Sequence, residues 1–214
     1  MRALLQKEWR LSMSPVPLLF LCLSALLLVP NYPYYVTFFY SSLGIFLWMQ
    51  SLRENRDLAY IMLLPVTKRD VVRARLLTAC TLQLLQALAC VPFMLLRARF
   101  GANNAVGIEA NVAFLGLGFV QMGLFNLIFF PLHYRNAYDL GKPFVLASIA
   151  EFFYLVLAET LDHIVPYMKT VCESYAPADQ LRQLPVFFGG LLVYALLSLL
   201  ALRRSELRFL QTDL

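Results

Sequence analysis

Glu159 and His163 stand four residues apart, a spacing that sets a carboxylate and an imidazole on one face of a helix, where they could bind a metal or exchange a proton. Asp162 lies beside them, but no third ligand of convincing spacing completes a metal set. The chain holds no serine elbow, zincin helix or paired Glu-Glu motif. A phosphate-binding loop is missing too: the only Gly-Lys pair, Gly141-Lys142, is followed by Pro143. The chain therefore reads as no enzyme, with no catalytic residue and no metal, and unable to hydrolyse ATP by itself. Cys22, Cys80, Cys90 and Cys172 show no paired spacing of the metal or redox kind and read as inert thiols.

These residues sit in an unusually apolar chain. Of 214 residues, 60% are hydrophobic and 14% charged, which excludes disorder, a coiled coil and a secreted disulfide scaffold and points to a membrane protein. Spanning about 30 Å of hydrocarbon takes roughly 20 apolar helical residues. Six blocks are candidates: 16–29, 34–52, 71–96, 111–132, 143–165 and 185–202. The first is short, and with the second it forms a hairpin turning at Pro30-Asn31-Tyr32-Pro33. Val16–Val29 lacks a small-residue cleavage site, so it reads as a mature span and not as a signal peptide.

Of the 18 Lys and Arg residues, all but Arg97, Arg99, Lys169 and Arg182 fall on one side of a six-span arrangement. Short basic loops stay cytoplasmic, so both termini are expected inside. The formal charge of +5 then reflects topology, and no nucleic acid is implied. The aromatic run Tyr32, Tyr34, Tyr35, Phe38, Phe39 and Tyr40 suits an outer interfacial belt or core packing.

Residues 1–13 form an amphipathic start: Met1, Leu4, Leu5, Trp9 and Leu11 share one arc, and Arg2, Gln6, Lys7 and Arg10 the other. This helix is expected to lie on the membrane lipid surface until Ser14-Pro15 turns the chain inward. Glu8 projects into the apolar arc and needs either an arginine from the next cytoplasmic loop (Arg53, Arg56 or Arg73) or water beside Lys7. Within the spans the polar residues are Gln83, Gln86, Gln121, Asn126 and Glu151. Glu151 lies about 12 Å into the fifth span, deep enough that it must face the bundle, a cavity or a second subunit.

The segment 53–70 has a grammar of its own. A charged opening, Arg53-Glu54-Asn55-Arg56-Asp57, leads into the apolar Ala59–Leu64, which stops at Pro65; Thr67 and Asp70 then make a capping box ahead of the third span. Ala59–Leu64 is too short to cross a bilayer, and something must cover it: headgroups, the protein's own helix ends, or a docked partner.

Lys7-Glu8-Trp9-Arg10, the hairpin, and Leu63-Leu64-Pro65-Val66-Thr67-Lys68-Arg69-Asp70-Val71-Val72 together resemble the permease subunits of type-2 ATP-binding-cassette exporters. The Leu-Pro segment is the specific part, and the size and both-ends-inside layout extend the likeness to the whole chain. The resemblance implies an all-α polytopic membrane protein, a single permease domain over 1–214, with six transmembrane helices, an N-terminal amphipathic interfacial helix and a cytoplasmic coupling helix. It implies a multi-pass subunit of the bacterial cytoplasmic membrane that pairs with a second permease chain and with a separate ATPase chain carrying ATP and Mg. The coupling helix maps to Arg53–Leu64, with Tyr60, Met62 and Leu63 as apolar contacts and Arg53, Glu54, Arg56 and Asp57 as charges around them. An intramembrane enzyme acting on lipid or peptide, or a non-transporting assembly or sensing subunit, are the alternative readings.

Overall fold

The computed structural model describes residues 2–100, 107–165, 172, 174 and 177–212, with only the backbone at Phe100, Asp162, His163, Pro177 and Ala178. Met1, Lys169 and the side chains of Asp162 and His163 lie outside the described residues. Among the described residues there are eight α-helices: α1 (Arg2–Lys7), α2 (Pro15–Leu21), α3 (Val36–Glu54), α4 (Asp57–Met62), α5 (Lys68–Phe100), α6 (Val112–His133), α7 (Gly141–Ile164) and α8 (Pro177–Leu210). Among the described residues there is no strand. Four helices, α5 to α8, are long and apolar enough to cross a membrane; Arg2–Ser12 with Pro15–Leu28, bent by 84° at its break, would make a fifth. The chain is an all-α polytopic membrane protein.

The first hairpin shows how a short block gains length. After α2 the chain tightens into a 3-10 helix over Cys22–Leu28, which rises about 2.0 Å per residue against 1.5 Å in an α-helix. The pair Pro15–Leu28 therefore reaches about 25 Å, where an all-α run would reach about 21 Å. Asn31, in the left-handed region at φ 56, turns the chain back toward α3. The aromatic run packs inward: Tyr34, Tyr35 and Phe38 are buried and gather around Phe114 of α6, with the Phe38 and Phe114 ring centroids 4.9 Å apart. These three are core, not an interfacial belt.

The strongest packing is between α6 and α8, with α7 on the other flank of α6. Glycine makes it possible. A Cβ on Gly190 would sit 1.9 Å from the Gly116 carbonyl oxygen, and one on Gly116 would sit 2.6 Å from the Phe187 backbone. Small residues at such crossings let two backbones approach within a membrane. The sixth block, expected from Pro185, starts earlier: α8 runs from Pro177 through Pro185. Its polar first turns are anchored, because the buried Gln183 accepts from the Ala113 amide at 3.3 Å and donates to the Ser174 carbonyl at 2.9 Å.

Lys7 reaches Asp57 in the α3–α5 connection, and Lys68 of the same connection donates to the Thr212 carbonyl at 2.7 Å. Arg73 pairs with Glu206 at 2.6 Å. Both described chain ends thus lie at one end of the bundle.

Candidate functional site

The α3–α5 connection is built in three parts. Helix α3 runs on to Glu54, so Arg53 and Glu54 belong to its last turn. Arg56, in the left-handed region at φ 51, breaks the helix, and α4 follows as a six-residue helix over Asp57–Met62. Within the expected Arg53–Leu64 segment, Arg53 and Glu54 thus close α3, and only Asp57–Met62 form the separate helix. A left-handed residue cannot continue an α-helix, and an Arg there leaves no sequence signal of the kind a Gly gives. Beyond Pro65, Thr67 and Asp70 make the predicted capping box: the Asp70 amide donates to Thr67 Oγ1 at 3.2 Å, and Thr67 Oγ1 donates to the Asp70 carboxylate at 2.6 Å.

Helix α4 has two faces. Ile61 is buried, 2% exposed, and Leu58 packs against the core. Opposite, Tyr60 is 68%, Leu63 83% and Leu64 56% exposed. Met62 is half-buried, while Arg53, Glu54 and Arg56 are exposed. Arg53 donates to the Tyr138 carbonyl at 3.4 Å, linking α3 to the α6–α7 turn. Behind α4 lies a cavity of about 420 Å³, whose walls include Leu52, Arg56, Ala59, Arg75 and Tyr138.

Asp57 does not belong with the outward charges. It faces in and joins two cations: Lys7 at 2.6 Å and Arg75 at 2.8 Å. Glu8 completes the group, 3.2 Å from Lys7 and 3.9 Å from Arg75. Of the arginines the sequence offered to Glu8, none is its partner; Arg75, two residues beyond Arg73 on α5, is. Glu8 is buried on the apolar arc where its helical position puts it, and the π-helical turn over Glu8–Ser12 changes the angular step beyond it, so that Leu11, expected on the same arc, is exposed. Burial raises the Glu8 carboxyl above its ordinary value, against the lowering effect of Arg75 and Lys7. Trp9 is half-buried against the core at this end of the bundle, and Arg10 is exposed. Ser12 is held by the Trp48 indole, which donates to its carbonyl at 3.1 Å. The N-terminal helix, α4 and α5 are thereby one ionic unit, in which Lys7 and Arg75 could have been suspected from charge alone but not placed.

A matching family description settles what such an assembly is. The family model described as "ABC-2 family transporter protein" matches residues 3–202. This chain belongs to that family. No curated protein and no solved structure gives a significant match. As a member of the ABC-2 family the chain is a permease, the membrane-spanning subunit of an ATP-binding-cassette transporter, and its family implies an ATP-binding partner chain.

The amides of this ABC-2 permease form two knots within the spans. Gln83 and Asn126 exchange a reciprocal pair of hydrogen bonds, both 2.9 Å. Tyr194 donates to Gln83 at 2.9 Å and Asn126 to Ser198 at 3.1 Å, so α5, α6 and α8 are joined at one level. Gln86 donates to Ser24 of the first hairpin at 2.8 Å. Glu151 stands apart from both knots. Ser42 of α3 donates to its Oε1 at 2.7 Å, and the Gln121 side chain is beside it. Ser24, Ser42, Tyr194 and Ser198 escaped the sequence reading because hydroxyls are common in spans and carry no spacing signal.

Proposed function

We propose that the chain is the membrane half of an ATP-driven exporter, acting as a dimer of permease chains, with ATP and Mg held on separate ATPase chains that grip α4. In this reading the chain crosses a bacterial cytoplasmic membrane six times, and the end carrying α1, α4 and Thr212 faces the cytoplasm. The abundance of Lys and Arg at that end supports the orientation. One observation carries the docking claim. Tyr60, Leu63 and Leu64 project from the polar end of the bundle, with Arg53, Glu54 and Arg56 around them, an apolar centre in a charged rim, as docked interfaces have.

The route of force follows from the ionic unit. When nucleotide closes the ATPase pair, a push on α4 acts through Asp57 on Lys7 and Arg75. The interfacial helix and the cytoplasmic end of α5 then shift with α4, and the spans tilt around the packed α6–α8 pair. Charged groups whose partners are buried transmit displacement because separating them leaves desolvated charge behind.

Co-purification tests the reading. The chain, tagged and extracted in mild detergent, retains an ATP-binding chain; Tyr60→Asp or Leu63→Asp releases it while the permease still folds. Retention by both variants overturns α4 as the grip.

A further inference from the structure

Glu151 is 1% exposed, and ten residues into α7 it lies about 15 Å from that helix's start, near the middle of the bilayer. Ser42 satisfies one carboxyl oxygen; Oε2 receives no hydrogen bond, nor does Gln121 Oε1 or Ser148 Oγ. All three side chains line one cavity of about 340 Å³ between α3, α6 and α7, whose other walls include Val36, Phe39 and Phe152. Two acceptors and a hydroxyl thus converge in an otherwise apolar groove. A buried carboxylate with one oxygen left unpaired is costly, and the spans have no Lys or Arg to offer. No Lys or Arg occurs within 11–52, 76–96, 112–134, 143–165 or 183–202, so a second copy cannot supply one at this depth either.

The geometry points to a protonated amine carried on an apolar body as the ligand of this groove, its N–H groups donating to Glu151 and Gln121 and its apolar part lying against Phe39, Phe152 and Val36. Acceptors gathered at one point select a cation that carries hydrogens, so a quaternary ammonium satisfies the charge but not the hydrogen bonds. An apolar pocket with a few convergent polar groups is the form small-molecule sites take. That the amine is cargo rests on the exporter reading; that it binds does not.

The test uses the full chain in lipid nanodiscs and the equilibrium binding of phenylbutylamine, its trimethylammonium analogue and phenylbutanol. The amine is expected to bind about tenfold tighter than either analogue, the worth of one charge-assisted hydrogen bond. Glu151→Gln is expected to bring the amine down to the level of the alcohol and to leave the alcohol unchanged. Equal binding of the three ligands, or amine binding untouched by Glu151→Gln, overturns the site and makes Glu151 an internal neutral group. Should Glu151→Gln not fold, the three-ligand series on the unaltered chain decides alone. Because binding is read without an ATPase, a failure here leaves the grip on α4 standing, and loss of the ATPase leaves this site standing.

Discussion

Asp57 holds this end of the bundle together because it makes the shorter contact to each of two cations, Lys7 and Arg75, the second almost fully buried. Asp57→Asn leaves both facing only Glu8, and the purified permease should lose about 2 kcal/mol of stability, the cost of a buried charge stripped of its main partner. Thermal unfolding in detergent measures this. Glu8 behaves differently. Its carboxyl is raised by burial and its Oε2 has no hydrogen bond, so Glu8→Gln should change stability by less than about 1 kcal/mol. The sign of its pH dependence follows. A raised acid favours folding most when protonated, so its contribution is full below the ordinary carboxyl value and is lost as pH rises through the folded value. Unfolding followed from acid to neutral pH should show that loss in the parent chain and not in Glu8→Gln.

Helix α6 meets α8 through Gly116 and Gly190, where no Cβ fits. Gly190→Ala should cost about 1–3 kcal/mol, the range for overpacking against backbone that cannot yield, whereas Gly189→Ala, with open space at its Cβ, should be nearly neutral; unfolding temperatures of the two variants separate them. Helices α5 to α8 were legible in the sequence because an apolar run of bilayer length has few alternatives, and the start of α5 was legible because Thr67 and Asp70 carry their own hydrogen bonds. Three features were not. The 3-10 stretch Cys22–Leu28 and the π turn Glu8–Ser12 depart from the angular step that any helical projection assumes, and the left-handed residue at the end of α3 is Arg56, a type that does not announce such a conformation. The knot Gln83–Asn126–Tyr194–Ser198 was half legible: the amides announced a need for partners, but nothing in one sequence says which helices face each other.

At the scale of the whole molecule, both described ends meet at one end of the bundle through Lys7–Asp57 and Lys68–Thr212, and the six-crossing proposal requires the α2–α3 hairpin to span. In an otherwise cysteine-free chain, a cysteine replacing Asn31, at the hairpin turn, should then react with an impermeant thiol reagent from outside intact cells, while one replacing Thr212 should react only after the membrane is opened. Reaction at position 31 only from the cytoplasmic side would make the hairpin re-entrant and the count four. The central claim is that α4 is the handle of an ATP-binding chain, and a photo-crosslinking residue at position 63 in intact membranes tests it most directly. The account predicts a crosslinked species joining this permease to an ATP-binding polypeptide, with a yield that changes when nucleotide is trapped. Crosslinks to lipid or to the permease itself alone, with no second kind of polypeptide, would contradict it.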